Sequence, residues 1–142
     1  MEAESSLDFS TLIEGTELLE LKKEIIQESI NLYAEASKDF NPIHINEEFA
    51  KSTPLGGTIA HGMLILAYVS QMLTANFGQD WLNSGKLNVR FKTPARPGDT
   101  VTISGKVRTI ETNEIGMSIK CDVICQNQAG ETIISGDASL NN

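Results

Sequence analysis

Residues 59–77 read IAHGMLILAYVSQMLTANF, and no Asp, Glu, Lys or Arg occurs from position 52 to position 79. A run this apolar is either a membrane span or a helix buried inside a protein. A span needs about 20 predominantly apolar residues. This run carries His61, Gly62, Ser70, Gln71, Thr74 and Asn76, and Lys or Arg does not flank it closely on both sides. It reads as a helix buried nearly all round in a soluble domain, with no membrane insertion.

The C-terminal half supplies the cover. Leu87, Val89 and Phe91 alternate with Lys86, Asn88, Arg90 and Lys92. Val101, Ile103 and Val107 alternate with polar residues, and Ile115, Met117, Ile119, Cys121, Val123 and Cys125 all fall on odd numbers. This is strand spacing. Turn chemistry at Pro97-Gly98-Asp99 and at residues 128–130 separates these strands from each other and from a last one over 132–140. Strands joined by tight turns form an antiparallel sheet with one buried face. The spacing predicts an α+β domain, a curved antiparallel sheet wrapped around the long central helix.

Upstream, residues 16–23 read as a first strand, and Ile26, Ile30 and Tyr33 predict a helix over about 24–37. Residues 38–45 break that period, because proline pushes the residue before it out of helical geometry. Asn46 then caps a short helix. Residues 1–8 are expected to be a loose arm on a single domain spanning 1–142.

The 11 basic residues face 19 acidic ones, for a net charge of −8. That excludes a general binder of nucleic acid or of anionic membranes. The polar, acidic N-terminus shows no signal peptide, so the expected compartment is the cytoplasm. Cys121 and Cys125, four apart on one strand face, would be roughly 13 Å apart, too far for a disulfide. With no third soft ligand near them, buried thiols are expected there and no metal site.

The two histidines are the candidates for chemistry. His44 ends the run Asp39-Phe40-Asn41-Pro42-Ile43-His44, and His61 precedes Gly62 at the start of the apolar helix. A carboxylate and an imidazole aimed at one point by a proline turn can hold and polarise a water. The same residues also read as a turn cap and a half-buried histidine, and Gly62 as a packing glycine.

The run YAEASKDFNPIHINEEFA (33–50), followed by GGTIAHGML (56–64) and NVRFKTPARPGDTVTISGKV (88–107), resembles the MaoC-like (R)-specific enoyl-thioester hydratase family of the hotdog fold. Many members carry S-G-D where this chain has Ser37-Lys38-Asp39. The resemblance implies that Asp39 and His44 activate water and that Asn41 and Pro42 shape their turn. It implies that the Gly62 N–H receives the thioester oxygen, that Ser70 lies close to the pair, and that His61 is structural. It implies reversible hydration of trans-2-enoyl-CoA to (R)-3-hydroxyacyl-CoA by a homodimer or a multiple of it. No metal or redox cofactor is expected, since coenzyme A or phosphopantetheine is part of the substrate. Dehydration of 3-hydroxyacyl groups on acyl carrier protein is the alternative. A hotdog thioesterase and a non-catalytic acyl-binding subunit rank lower, because neither needs both Asp39 and His44.

Lys86, Arg90, Lys92 and Arg96 gather four of the 11 basic residues into one short stretch. Arg90 and Lys92 are candidates for coenzyme A phosphates; the stripe reads equally as a solvated strand face.

Overall fold

The computed structural model describes residues 3–142. The elements run β1 (Leu21–Glu24), α1 (Gln27–Ser37), α2 (Pro42–Ile45), α3 (Glu47–Lys51), α4 (Gly62–Phe77), α5 (Gln79–Ser84), β2 (Lys86–Phe91), β3 (Thr100–Thr112), β4 (Met117–Gln126) and β5 (Thr132–Asn141). Five antiparallel strands form one sheet in the order β1-β3-β4-β5-β2. None of the described helices is long and apolar enough to cross a membrane.

The odd-numbered face is the buried one, as the alternation predicts. Val101, Ile103, Val107, Ile119, Cys121, Val123 and Cys125 all point into the core with Leu64, Ile65, Val69, Met72, Leu73 and Phe77 of α4. In β5 two consecutive residues, Ile133 and Ile134, are both buried. The register explains this: Cys125 faces Ile134 and Gln126 faces Thr132, which leaves Ile133 as an extra residue in a bulge. Gly136 lies between Val123 and Val89. A Cβ there would run into the β2 backbone at Asn88 and Val89, so only glycine lets the strands close in.

Helix α4 is not buried all round: Gly62, Met63, Ala67, Gln71 and Ala75 form an exposed stripe, because the sheet covers one side only. The predicted strand 16–23 shrinks to Leu21–Glu24 plus an isolated bridge between Glu17 and Lys106. Between them the Leu19 backbone leaves the sheet and pairs with the buried Asn76 amide, which accepts from Leu19 N at 2.9 Å and donates to Leu19 O at 3.1 Å. Helix α1 starts at Gln27, not at 24, because Ile25 is still held like a strand residue: its N–H donates to Asp99 O and its carbonyl accepts from Gly98 N. Ile115 and Phe91, expected inward, are 95 % and 53 % exposed, one in the β3–β4 turn and the other at the end of β2.

The arm is not loose over residues 3–7. Ser6 N and Leu7 N donate to Ala75 O and Asn76 O, and Gln79 N donates to Ala3 O. The arm thus takes up carbonyls that the end of α4 leaves without partners. Met1 and Glu2, the start of the expected arm, lie outside the described residues.

Candidate active site

Helix α1 ends at Lys38, the only residue other than glycine with positive φ (63°) among the described residues. This left-handed residue turns the chain so that Asp39 leaves the helix axis. Asn41 then caps α2, its side chain accepting from Ile43 N, with Pro42 in the first turn. Its own N–H donates to Asp39 Oδ1 at 3.2 Å. The Asn41-Pro42 turn therefore folds His44 back toward Asp39, as the spacing predicts.

His44 is buried and Asp39 is not: their side chains are 10 % and 54 % exposed. His44 Nδ1 lies 2.8 Å from Ile59 O. A carbonyl only accepts, so Nδ1 carries the hydrogen and Nε2 bears the lone pair. That Nε2 stands 4.0 Å from Asp39 Oδ2. The gap is too wide for a direct hydrogen bond and fits one bridging water.

A clamp holds His44 from behind. Gln27 Nε2 donates to His44 O at 2.7 Å, and Gln27 Oε1 accepts from the Thr58 hydroxyl at 2.8 Å. Thr58 N donates in turn to Glu47 Oε2 at 3.1 Å. The Thr58 N–H holds the Glu47 carboxyl below the usual carboxylate range.

His61 caps α4 by position and turns its ring inward. Its Nε2 donates to Asp39 O at 3.0 Å, and its ring stacks on His44 with centroids 3.9 Å apart. Gly62, first in α4, has an N–H with no acceptor inside the helix. A Cβ on Gly62 would come within 3.0 Å of the Phe91 ring. Beside Gly62 is a slot of about 230 Å³ lined by Ile59, Ile65, Phe91, Lys92, Ala95 and Ile133, among others. A larger groove of about 590 Å³, bounded by Glu17, Gly105, Asp122 and Gly136, lies on the sheet's outer face and includes none of these residues.

Of the remaining candidates, Lys92 lines the slot beside Gly62. Ser70 is eight residues past Gly62, roughly 12 Å along the helix axis, and its Oγ accepts from Trp81 Nε1 at 3.0 Å. Arg90 and Lys92 are exposed, and neither forms an ion pair among the described residues. Asp39, His44 and His61 each offer a ligand atom within 4.8 Å of the others. The imidazoles nevertheless lie face to face, so their in-plane lone pairs do not converge on one ion. Cys121 and Cys125 are free, and burial pushes both thiols up to about 12. Gln27, Thr58 and Glu47 carry no signal in the sequence, where they look like ordinary surface polar residues.

The profile of the family described as MaoC like domain matches residues 8–126. The chain is 34 % identical over 125 residues to an (R)-specific enoyl-CoA hydratase of Rhodospirillum rubrum, covering 84 % of this chain and 81 % of that one. It is 31 % identical over 120 residues to a 3-hydroxybutyryl-CoA dehydratase of Methylorubrum extorquens, covering 83 % of this chain and 73 % of the relative. Among solved structures, an (R)-hydratase from A. caviae involved in PHA biosynthesis matches with a TM-score of 0.77 at 26 % identity, over 92 % of this chain and 96 % of that one.

Proposed function

The chain belongs to the MaoC-like domain family, and on that premise we propose that it is a hydro-lyase which interconverts trans-2-enoyl-CoA and (R)-3-hydroxyacyl-CoA in the cytoplasm. Its α+β architecture is the hotdog fold of the family's solved structures. The observation that carries the catalytic reading is the 4.0 Å gap between His44 Nε2 and Asp39 Oδ2. Both atoms are acceptors. A water between them donates one hydrogen to each, which turns its own lone pairs toward Cβ of a bound enoyl thioester.

As that oxygen bonds to Cβ, one O–H bond of the water breaks and its proton passes to the pair. The electron pair of the Cα=Cβ bond moves through Cα onto the thioester oxygen. The Gly62 N–H, at the positive end of α4, stabilises this enolate. Delivery of a proton to Cα completes the addition and returns the pair to its starting charge. The reverse sequence is dehydration. No electrons leave the substrate, so the reaction calls for no redox cofactor, and coenzyme A enters as part of the substrate. In this reading Arg90 and Lys92 meet its phosphates, and the support is that both are exposed cations and Lys92 lines the slot beside Gly62.

The test follows the enoyl-thioester absorbance with crotonyl-CoA and longer enoyl-CoAs, with an enoyl-acyl carrier protein as a parallel substrate. The absorbance is expected to fall with the CoA substrates as the (R)-alcohol forms. Preference for the carrier-protein substrate would favour the dehydratase alternative, for which the exposed Lys86, Arg90 and Lys92 on an acidic chain are the supporting feature. No change with any of them would end the reading.

A further inference from the structure

We propose that His61 is a positioning residue that holds Asp39 and His44 at their working separation; the inference rests on the hydratase reading above. One ring touches both members of the pair. Its Nε2–H donates to the Asp39 backbone carbonyl at 3.0 Å. Its face lies on His44 with centroids 3.9 Å apart and planes 26° from parallel. Tyr33 packs against the same ring with centroids 4.9 Å apart.

His61 gives up two ordinary sources of stability to do this. As the residue that caps α4 it makes no side-chain cap bond, although Ser, Thr, Asp or Asn would make one there. Its Nδ1 is buried with no hydrogen-bond partner among the described residues, which costs free energy. A side chain serving packing or capping alone would avoid both costs. Departures of this kind from local rules are expected where a residue serves a site. What the imidazole supplies here is a flat ring behind His44 and one donor aimed at Asp39.

The other holds on Asp39 are local. Its N–H donates to Ser37 Oγ and its carboxylate accepts from Asn41 N–H, each two residues away. His61, 22 residues on, ties the turn to the start of α4. Because Asp39 O can only accept, His61 Nε2 carries the hydrogen of that bond.

Two substitutions separate the donor from the ring. His61→Phe keeps a flat ring and removes the donor; His61→Gln keeps an N–H near the Nε2 position and removes the ring. With crotonyl-CoA, His61→Phe is expected to lower kcat by ~10–100-fold, the loss that a misplacement of about 1 Å brings, with KM nearly unchanged. His61→Gln is expected to restore part of that loss. A folded His61→Phe variant with wild-type kcat, or with a raised KM alone, would overturn the proposal. The chain has two histidines, so ring ¹⁵N NMR of the wild type reads each one. His61 is expected as the Nε2–H tautomer at neutral pH, and an Nδ1–H tautomer would overturn the placement whether or not the variants fold. If the wild type hydrates no enoyl thioester, the hydratase reading fails, while the tautomer still decides whether His61 holds Asp39.

Discussion

His44 presents its lone-pair nitrogen to Asp39 Oδ2 across 4.0 Å because its other nitrogen is committed to Ile59 O at 2.8 Å. The tautomer is thus set by one backbone carbonyl. A water in that gap needs both acceptors, so the two residues are expected to act as a unit. Asp39→Asn and His44→Ala should each lower kcat for crotonyl-CoA by ~10²–10⁴-fold, the usual worth of general acid–base assistance. The double variant should lose little more than the worse single one. Kinetics on folded proteins check this, and multiplicative losses would show that the two act independently.

Lys38 sits at φ 63° and ψ 20°, immediately before Asp39. A left-handed conformation costs a residue with a Cβ roughly 1–2 kcal/mol. Glycine escapes that cost but loses more freedom on folding. The net expectation for Lys38→Gly is a gain of about 1 kcal/mol, hence a melting temperature a few degrees higher. A melting temperature equal to or below the wild type would show that Lys38 makes compensating contacts.

Much of this site was legible because its parts are close in sequence. Asp39, Asn41, Pro42 and His44 lie within six positions, and proline and N-cap rules act over that range. The sheet was legible because strand period alone sorts Val101 through Cys125 by face. Contacts between distant segments left no such trace. Asn76 looks like a polar interruption in an apolar helix, yet it serves the Leu19 backbone 57 positions away. His61 was expected to be structural, and only the fold puts its Nε2 on Asp39 O. The exposed stripe of α4 escaped notice because Met63, Ala67 and Ala75 are apolar whether covered or not.

The clamp behind His44 predicts a pH effect. Glu47 is held below the usual carboxylate range first by the Thr58 N–H. A group with a lowered pKa in the folded state stabilises above its unfolded value, and that stability is lost as pH falls through the folded value. Glu47→Gln should therefore melt below the wild type at neutral pH. The difference should close as pH falls below the ordinary value of 4.5. Melting curves across that range check it; a difference that stays constant with pH would mean that charge on Glu47 is irrelevant to the clamp.

If Arg90 and Lys92 meet the phosphates of coenzyme A, replacing both with alanine should raise KM for crotonyl-CoA and leave kcat nearly unchanged. A truncated thioester without the nucleotide should be affected much less. Because the residues are exposed, the effect should also weaken as salt is added. Equal KM values for the variant and the wild type on the CoA substrate would make the stripe a solvated face.

Strand β2 is an edge of the sheet, with one row of backbone groups unpaired. Near it, Phe91 is 53 % exposed and Met63 57 % exposed, an unusual share for large apolar side chains. Helix α4 carries its open stripe of Met63, Ala67, Gln71 and Ala75 on the same molecule. A second copy joined at β2 would continue the sheet and cover these groups. Light scattering at micromolar concentration is therefore expected to give twice the mass of one chain, or a multiple of that. Ala67→Arg places a long cation on the open stripe, where an isolated chain accepts it without strain and a partner does not. This variant should scatter as a folded monomer with an unchanged circular dichroism spectrum. A wild-type chain that is monomeric and fully active at micromolar concentration would refute the pairing.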